Sequence, residues 1–395
     1  MRRAYYRGAD VRRAINIDEL RSLAERRLPR MVFEYLEGGA EDERTLRSNL
    51  EAFARWEFVP RTLIAVPERS LGAALFGTPV AAPLLIAPTG FNGMLTRDAD
   101  VALARAARAA GIPFTLSTVS TSSIEEVADR SGGRLWFQLY PIQDRRVVES
   151  LVRRADRAGY EALVVTSDVP VYGNREWDQR NYIAPGKPRL RAKLDVLAHP
   201  RWLLDVMIPH GAPRFANLVE FLPPEHATAI DGARYMSTQL NPLLDWEEVR
   251  WLRDLWPRRL LVKGVLSVDD ARLAAERGLD GVVLSNHGGR QLDGAVSPLE
   301  ILPEVVQAVG GRLTVIIDSG FRRGSDIVKA LTLGAHAVML GRAVLYGVAV
   351  AGEAGAAHAL GILTSEADRV LALLGCRSPK ELSPALLRPA RGWRP

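Results

Sequence analysis

The sequence predicts an α/β fold, a (β/α)8 TIM barrel with an N-terminal helical extension and an insertion after the fourth strand. Eight short apolar runs recur along the chain, continuous rather than alternating, which is typical of parallel strands covered on both faces. Stretches with helical periodicity separate most of these runs. Eight strand–helix units favour a closed barrel over its alternative, an open doubly wound sheet. The runs lie at 84–90, 114–120, 135–140, 162–168, 260–265, 281–287, 315–320 and 337–342.

The whole chain, 1–395, is predicted to form a single domain, because α/β barrels of this length are commonly undivided. Residues 1–60 show a helical pattern, and the barrel is expected over 80–375. Residues 177–240 interrupt the barrel and are rich in proline, arginine and aromatic residues. Long insertions without a clear period are often functional, so this one is predicted to be a lid or a membrane-contacting segment.

The composition is that of a globular enzyme, with 47% hydrophobic and 25% charged residues. The net charge of +6 is mild and no nucleic-acid motif accompanies it, so nucleic-acid binding is not expected. Cys376 is the only cysteine, which excludes an intrachain disulfide, and no metal-ligand spacing is present. The charged N-terminus lacks the apolar core of a secretory signal, and no stretch approaches the roughly 18 uncharged apolar residues of a membrane span. We therefore expect a cytoplasmic protein.

The most informative motif is SNHGGRQLD at 285–293, directly after an apolar run. His287 can take a proton near neutral pH. Arg290 offers a permanently charged fork that suits a carboxylate. The paired glycines let the backbone approach a ligand closely. The motif indicates chemistry on a carbon next to a carboxylate.

Polar residues also end most of the other predicted strands, where barrel enzymes place their active sites. The alternative, loop residues that merely end strands, fits any single run. It does not explain why His, Lys, Arg, Asp, Gln and Tyr all recur at these positions. We therefore expect one composite site at this end of the barrel.

Several motifs together resemble the FMN-dependent α-hydroxy acid dehydrogenases and oxidases. Besides 285–293, they are LPRMVFEYLEGGAEDERTL at 28–46, APTGFNG at 87–93, WFQLY at 136–140, SDVPVYGNRE at 167–176, LLVKG at 260–264, DSGFRRGSD at 318–326 and LGR at 340–342. RWLRDLWP at 250–257 is similar to the (S)-mandelate dehydrogenase branch, and HPRWLLDV at 199–206 to bacterial L-lactate dehydrogenases. The resemblance implies an FMN cofactor and oxidation of a mandelate- or lactate-like (S)-2-hydroxy acid to the 2-oxo acid.

The resemblance also implies roles for the residues of the substrate site. His287 would accept the substrate proton, and Asp168 would stabilise the charged imidazole, as a buried carboxylate does for a base. Arg175 and Arg290 would hold the substrate carboxylate. Tyr35 and Tyr140 would donate hydrogen bonds to the substrate.

The resemblance implies cofactor contacts as well. Lys263 would stabilise negative charge on the reduced flavin. The phosphate would lie after the seventh and eighth strands, a frequent phosphate site in barrels. The full cofactor set is Pro88, Thr89, Gly90, Ser117, Gln138, Thr166, Lys263, Ser285, Asp318, Ser319, Gly320, Arg322, Gly341 and Arg342.

Gly90 stands where oxidases of this family typically have alanine. The resemblance therefore favours a dehydrogenase that passes electrons to a quinone or another carrier. The alternative is an oxidase that uses oxygen and produces hydrogen peroxide. A flavin barrel that isomerises a phosphorylated substrate is a further alternative, but it leaves the two arginines without a carboxylate.

The resemblance implies two further properties: a homotetramer, and peripheral contact with the inner face of the cytoplasmic membrane. The insertion would supply this contact through Trp202, Leu203, Leu204, Val206, Met207 and Ile208, flanked by Arg191, Lys193 and Arg201. A loop that covers the substrate pocket is the alternative. Val119 stands where glycolate oxidase has tryptophan, so the pocket is expected to differ from that relative.

Overall fold

A closed barrel of eight parallel strands forms the centre of the computed structural model, which describes residues 5–184, 187–208, 211–223 and 235–390. The predicted (β/α)8 fold is confirmed. Each strand pairs in parallel with its sequence neighbours, and the eighth closes on the first. The barrel strands, named β1 to β8 here, are Leu84–Ile86, Phe114–Ser117, Leu135–Leu139, Ala162–Thr166, Arg259–Val265, Gly281–Leu284, Thr314–Ile317 and Ala337–Leu340.

A helix follows every barrel strand and covers its outer face. These helices are Ala99–Ala109, Ile124–Ser131, Arg145–Arg157, Trp246–Leu255, Val268–Glu276, Pro298–Val309, Gly324–Thr332 and Arg342–Leu374. Because successive strand residues point to opposite faces, alternate side chains pack against the helices or fill the barrel. The filling side chains include Leu85, Trp136, Val164, Leu261, Val283, Ile316 and Met339.

Two short antiparallel strand pairs lie outside the barrel. A hairpin of Ala73–Leu75 and Thr78–Val80 places Leu75 and Val80 against the residues that fill the barrel. The strand Leu387–Pro389 pairs antiparallel with Trp56–Phe58 and so ties the C-terminal segment to the N-terminal one. The hairpin therefore closes one end of the barrel, and the site is expected at the other end, where the strands have their carboxyl ends.

The N-terminal segment is helical, in the helices Ile17–Arg27, Arg30–Glu37 and Arg44–Glu51. Short 3-10 turns flank them at Val11–Arg13 and Ala52–Arg55. The first helix packs on the long helix that follows β8. The carbonyl groups at the end of the second helix reach the barrel mouth, as described below. Residues 1–4 lie outside the described residues.

The described parts of the insertion form a small subdomain beside the barrel mouth. Its elements are the helix Glu176–Arg180, the strand pair Tyr182–Ala184 and Lys187–Pro188, the helices Leu190–Leu197 and Pro200–Trp202, the π-helical turn Leu203–Met207 and the 3-10 turn Val219–Phe221. Residues 185–186, 209–210 and 224–234 of the predicted insertion lie outside the described residues.

Two of the residues expected at a lipid surface are buried instead. Trp202 donates its indole N–H to the carbonyl oxygen of Met94 at 2.7 Å, and Val206 packs in the core. For these two residues the expected lipid contact is wrong, because an apolar run does not reveal which of its faces the protein itself covers. Leu204 and Ile208 are exposed, at 57% and 60%. These two are the apolar side chains of this run that are exposed for contact with lipid.

One described helix, Arg342–Leu374, is long and apolar enough to cross a membrane by length and composition. Glu353 interrupts its apolar residues, so the helix does not contain a run of roughly 18 uncharged apolar residues. Most of the helix's apolar stretch is buried inside the fold, and its backbone is broken at Ala351 and Gly352. It packs on the first helix and on the helices that follow β1 and β7, which explains its apolar composition.

Candidate active site

A cavity of about 1030 Å³ opens at the carboxyl ends of the strands. Most of the residues predicted for the site line it: Tyr35, Pro88, Thr89, Gly90, Tyr140, Arg175, Lys263, His287, Arg290, Asp318, Ser319, Gly320, Arg322, Gly341 and Arg342. The other predicted residues lie behind this wall. Asp168 contacts His287, Ser285 contacts Lys263, and Ser117 accepts a hydrogen bond from the backbone of Val119. Thr166 pairs with Lys263 on the next strand, and Gln138 bonds to Ser117 and Thr166. The fold therefore brings the whole predicted set together.

His287 lies between a carboxylate and a phenol. Its Nδ1 is 3.0 Å from Oδ1 of Asp168, and its Nε2 is 3.2 Å from the hydroxyl of Tyr140. The carboxylate accepts the proton of Nδ1, which leaves Nε2 as the basic nitrogen toward the cavity. A Cβ at position 264 would lie 2.6 Å from that of Asp168, so Gly264 makes this approach possible.

The surroundings of His287 favour its neutral form. Burial lowers the pKa of His287, and the opposing effect of Asp168 does not restore it. Burial raises the pKa of Asp168, but His287 and Lys263 outweigh it, so the net pKa lies below its usual range. Burial also raises the pKa of Tyr140 well above its usual value, which keeps its hydroxyl protonated. A neutral imidazole beside an ionised carboxylate can accept a proton.

Arg290 and Arg175 lie close to each other in the cavity wall. Nη1 of Arg290 donates to the carbonyl oxygens of Tyr35 and Gly38, at 2.8 and 2.7 Å, and its guanidinium stacks on the Tyr35 ring. Arg175 donates through Nε to the carbonyl oxygen of Arg290. Burial, followed by Arg175, lowers the pKa of Arg290 to about 10, which still leaves it charged at neutral pH. Two adjacent cations form a binding site for an anion.

Lys263 is a buried cation at the end of β5. Its Nζ is 3.2 Å from Oδ2 of Asp318 and donates to Oγ of Ser285 at 2.8 Å. Burial lowers the pKa of Lys263, but Asp318 and Asp168 raise it more, so its net pKa lies above the usual value. A charged ammonium therefore persists in the cavity wall.

A chain of buried hydrogen bonds crosses the ends of three neighbouring strands. Ser117 donates to Oε1 of Gln138, and Nε2 of Gln138 donates to Thr166. Thr166 pairs in register with Lys263 on the next strand. The parallel register thus aligns polar groups from β2 to β5 along one side of the barrel mouth, with Lys263 in the cavity wall and the others behind it.

The loop after β1 forms a further wall at Pro88, Thr89 and Gly90. Asn92 donates to the carbonyl and hydroxyl oxygens of Thr89 and to Asp100, which is fully buried. Sequence reasoning missed these two supports, although an asparagine and an aspartate near a strand end are a usable signal. A Cβ at position 90 would lie only 2.5 Å from Cγ2 of Val119, so no side chain fits there without movement.

Another part of the cavity wall is formed by glycines and arginines. Gly320 has φ +87°, and a Cβ there would lie 2.3 Å from the carbonyl oxygen of Asn49, whereas a Cβ on Gly341 would meet nothing within 4 Å. Arg342 donates three hydrogen bonds, to the carbonyl oxygens of Leu36, Gly288 and Gly38. Arg322 donates hydrogen bonds to the carbonyl oxygen of Phe321 and to the hydroxyl of Tyr346. Open backbone beside two guanidinium groups suits a phosphate.

The sequence profile of a family described as FMN-dependent dehydrogenase matches residues 24–389. The chain belongs to this family. The protein is therefore an FMN-dependent enzyme, and its cavity passes a test of fit for FMN. Its wall contains the buried ammonium of Lys263 and the guanidinium groups of Arg322 and Arg342, and the glycine at 341 leaves space that a side chain would fill.

This FMN-dependent dehydrogenase is similar to curated proteins over nearly its whole length. It is 50% identical to (S)-mandelate dehydrogenase of Pseudomonas putida over 374 residues, which cover 94% of this chain and 93% of that protein. It is 42% identical to a putative L-lactate dehydrogenase of Mycobacterium tuberculosis, over 94% of this chain and 88% of that protein. It is also 42% identical to an L-lactate oxidase of Nostoc, over 94% of this chain and 98% of that protein.

Its fold is also similar to solved structures of the same family. The crystal structure of the monotopic membrane protein (S)-mandelate dehydrogenase superposes with a TM-score of 0.91 at 49% identity, and covers 96% of this chain and 100% of that one. A mandelate oxidase with (S)-4-hydroxymandelic acid superposes with a TM-score of 0.82 at 35% identity, over 95% and 98% of the two chains.

The structure adds cavity residues that the sequence did not indicate. Phe91 and Phe215 meet edge to face with centroids 4.6 Å apart, and Tyr172 and Asp178 also line the cavity. Phe215 comes from the insertion, more than 100 residues away from Phe91 in the chain. No local motif marks such a residue, because only the return of the insertion to the barrel mouth brings it there.

Proposed function

We propose that this protein oxidises an aromatic, mandelate-like (S)-2-hydroxy acid to the 2-oxo acid and passes the electrons to a quinone or another carrier. The observation that carries this proposal is the position of His287, Asp168 and the two arginines around one cavity. A base beside an anion site matches a substrate whose reacting carbon carries a carboxylate. The similarity to (S)-mandelate dehydrogenase, in sequence and in structure, supports the substrate class.

His287 is the proposed base. Its Nε2 accepts the substrate proton as the α-carbon is oxidised, and Asp168 stabilises the imidazolium that results. Arg175 and Arg290 hold the substrate carboxylate and fix the orientation of the α-carbon. Tyr35 and Tyr140 donate hydrogen bonds to the bound acid, since both line the cavity and their hydroxyl groups lie near Gly90 and His287.

When bound, FMN accepts the two electrons that leave the substrate. Lys263 and the backbone of Pro88, Thr89 and Gly90 would hold the flavin ring, with Ser117, Gln138, Thr166 and Ser285 behind it. Asp318 and Ser319 would contact the ribityl chain. Gly320, Arg322, Gly341 and Arg342 would hold the phosphate. The buried ammonium of Lys263 favours negative charge at its end of the cavity.

The side-chain pocket supports an aromatic substrate over lactate. Phe91, Phe215 and Tyr172 supply aromatic surface, and Phe91 also packs against Tyr35 at 5.5 Å between centroids. Aromatic rings favour edge-to-face partners, which a phenyl group provides and a methyl group does not. Val119 also lines the cavity, and it is smaller than the tryptophan that glycolate oxidase has at this position, so it leaves room for a larger substrate.

A quinone or other carrier as acceptor is supported by Gly90, through the family resemblance. A second candidate function, oxidation by oxygen with release of hydrogen peroxide, is supported by the lactate and mandelate oxidase relatives. The two differ in one measurement, the rate at which reduced enzyme reoxidises in air.

Peripheral membrane association is part of the proposal, on the cytoplasmic side. The monotopic relative supports it. So do the exposed Leu204 and Ile208, with the exposed Arg191, Lys193 and Arg201 nearby in the chain. A homotetramer stays a prediction.

The test is an anaerobic screen of 2-hydroxy acids with the purified FMN enzyme. The absorbance of the flavin bands is monitored after each acid is added. We expect (S)-mandelate to bleach the flavin faster than (S)-lactate, with little bleaching in a His287→Ala variant that retains FMN. Admission of air then separates the acceptors, since fast reoxidation supports the oxidase. A flavin that no 2-hydroxy acid bleaches would contradict the proposed function.

A further inference from the structure

Arg290 is oriented by hydrogen bonds to backbone carbonyl groups, and its ion pair with Asp178 is long. Both carbonyl contacts, to Tyr35 and Gly38, use Nη1, and the Tyr35 ring supports the guanidinium plane. Nη2 is buried and has no hydrogen-bond partner among the described residues. The nearest carboxylate oxygen is Oδ2 of Asp178, at 3.8 Å. This distance is too long for a hydrogen bond but short for two charges.

Asp178 is a partly buried carboxylate with no closer partner in the described part of the chain. Its side chain is 23% exposed, and that of Arg290 is 13% exposed, so solvent screens their interaction only partly. Asp178 lies on the helix Glu176–Arg180, and this helix begins directly after Arg175. Burial raises the pKa of Asp178 and outweighs the lowering by Arg290 and Arg175, so its net pKa lies above the usual value. The same short segment thus supplies one arginine of the pair and a negative charge beside the other.

The other carboxylates of the described cavity wall are differently engaged. Asp318 pairs with Lys263, and Asp168, behind the wall, pairs with His287. Glu176 is exposed and accepts a hydrogen bond from Asn174. Asp178 is therefore the carboxylate in this part of the structure that faces the arginine pair.

We propose that Asp178 is an internal competitor for the arginine pair, which weakens the binding of anionic substrate and product and so speeds release of the 2-oxo acid. The inference rests on the proposed function, because it assumes that the arginine pair binds a carboxylate. An anion beside Arg290 meets the charge of Asp178 as well as that of the two guanidinium groups. Since Asp178 makes no hydrogen bond to Arg290, its removal changes the charge of the site and leaves the arginine oriented.

The test compares Asp178→Asn with the wild-type FMN enzyme. Phenylglyoxylate, the 2-oxo acid of mandelate, is titrated against the oxidised enzyme, and its dissociation constant is read from the change in the flavin spectrum. We expect the variant to bind it about 5- to 10-fold more tightly, as loss of one partly screened like charge implies. KM for (S)-mandelate falls in parallel, whereas the rate of flavin reduction at saturation stays within about 2-fold.

Two control variants separate charge from structure. Asp178→Glu keeps the charge and should keep the wild-type dissociation constant within about 2-fold. Glu176→Gln removes an exposed charge from the same helix and should change it by less than about 2-fold, because exposed charges are screened. Weaker or unchanged binding in Asp178→Asn would overturn the proposal. If wild-type enzyme is not reduced by any 2-hydroxy acid, the proposed function fails, whereas the effect of Asp178 on carboxylate binding is still measured.

Discussion

Nδ1 of His287 lies 3.0 Å from Oδ1 of Asp168, although the two residues are 119 positions apart in the chain. The contact joins the ends of β4 and β6, which are not adjacent in the barrel. β5 lies between them, and its pairing with β6 is irregular between Lys263 and Val265. A side chain at Gly264, within this irregularity, would collide with Asp168. The pair fixes which nitrogen of His287 faces the cavity.

Asp168→Asn should slow flavin reduction by (S)-mandelate by about 10²- to 10⁴-fold, the range that a positioned base contributes. The amide keeps the shape of the side chain but does not stabilise the imidazolium. Stopped-flow absorbance at saturating substrate measures the rate, and the amount of bound FMN serves as the control. A reduction rate equal to that of wild-type enzyme would remove Asp168 from the mechanism.

The pH profile of kcat/KM should lose activity only below pH 6.5. His287 acts as a base in its neutral form, which dominates above its pKa, and burial lowers that pKa from the usual 6.5. Asp168 opposes this shift, so Asp168→Asn should move the acidic limb to still lower pH. Steady-state rates from pH 4.5 to 8 measure the acidic limb of the wild-type enzyme and of the variant. An acidic limb above pH 6.5 in wild-type enzyme would contradict the buried neutral base.

Gly90→Ala should destabilise the enzyme, because its Cβ would lie 2.5 Å from Cγ2 of Val119. We expect a loss of about 1–3 kcal/mol in the free energy of unfolding, typical of overpacking. Val119→Ala removes the colliding methyl groups, so the double variant should lose less than the sum of the two single variants. Urea denaturation of the FMN enzymes measures all four species. Additive losses would show that the two positions do not meet.

Leu204→Glu combined with Ile208→Glu should reduce binding to vesicles of phosphatidylglycerol and phosphatidylcholine by about 5-fold or more, since both exposed apolar side chains become anionic. Co-sedimentation measures the bound fraction. Leu373→Glu is the control, because this leucine is equally exposed at the end of the helix Arg342–Leu374. Equal binding by both variants would place lipid contact elsewhere.

The sequence predicted the barrel well because each strand carries its own local signal. Continuous apolar runs ending in polar residues marked all eight strands, and the closed sheet confirmed them. The same reasoning failed at Trp202 and Val206, which are as apolar as Leu204 but are buried. A run of apolar residues shows that some surface will be covered, but not by what.

The candidate site divides in the same way. The sequence by itself determined which side chains stand at strand ends, since the carboxyl ends of parallel strands must meet at one rim. It could not determine distances, partners or charge states. Only the tertiary structure brought Phe215 to Phe91, set Asp178 3.8 Å from Arg290, and buried His287 enough to lower its pKa. These properties depend on the return of distant segments and on the exclusion of water, and neither is encoded in a local pattern.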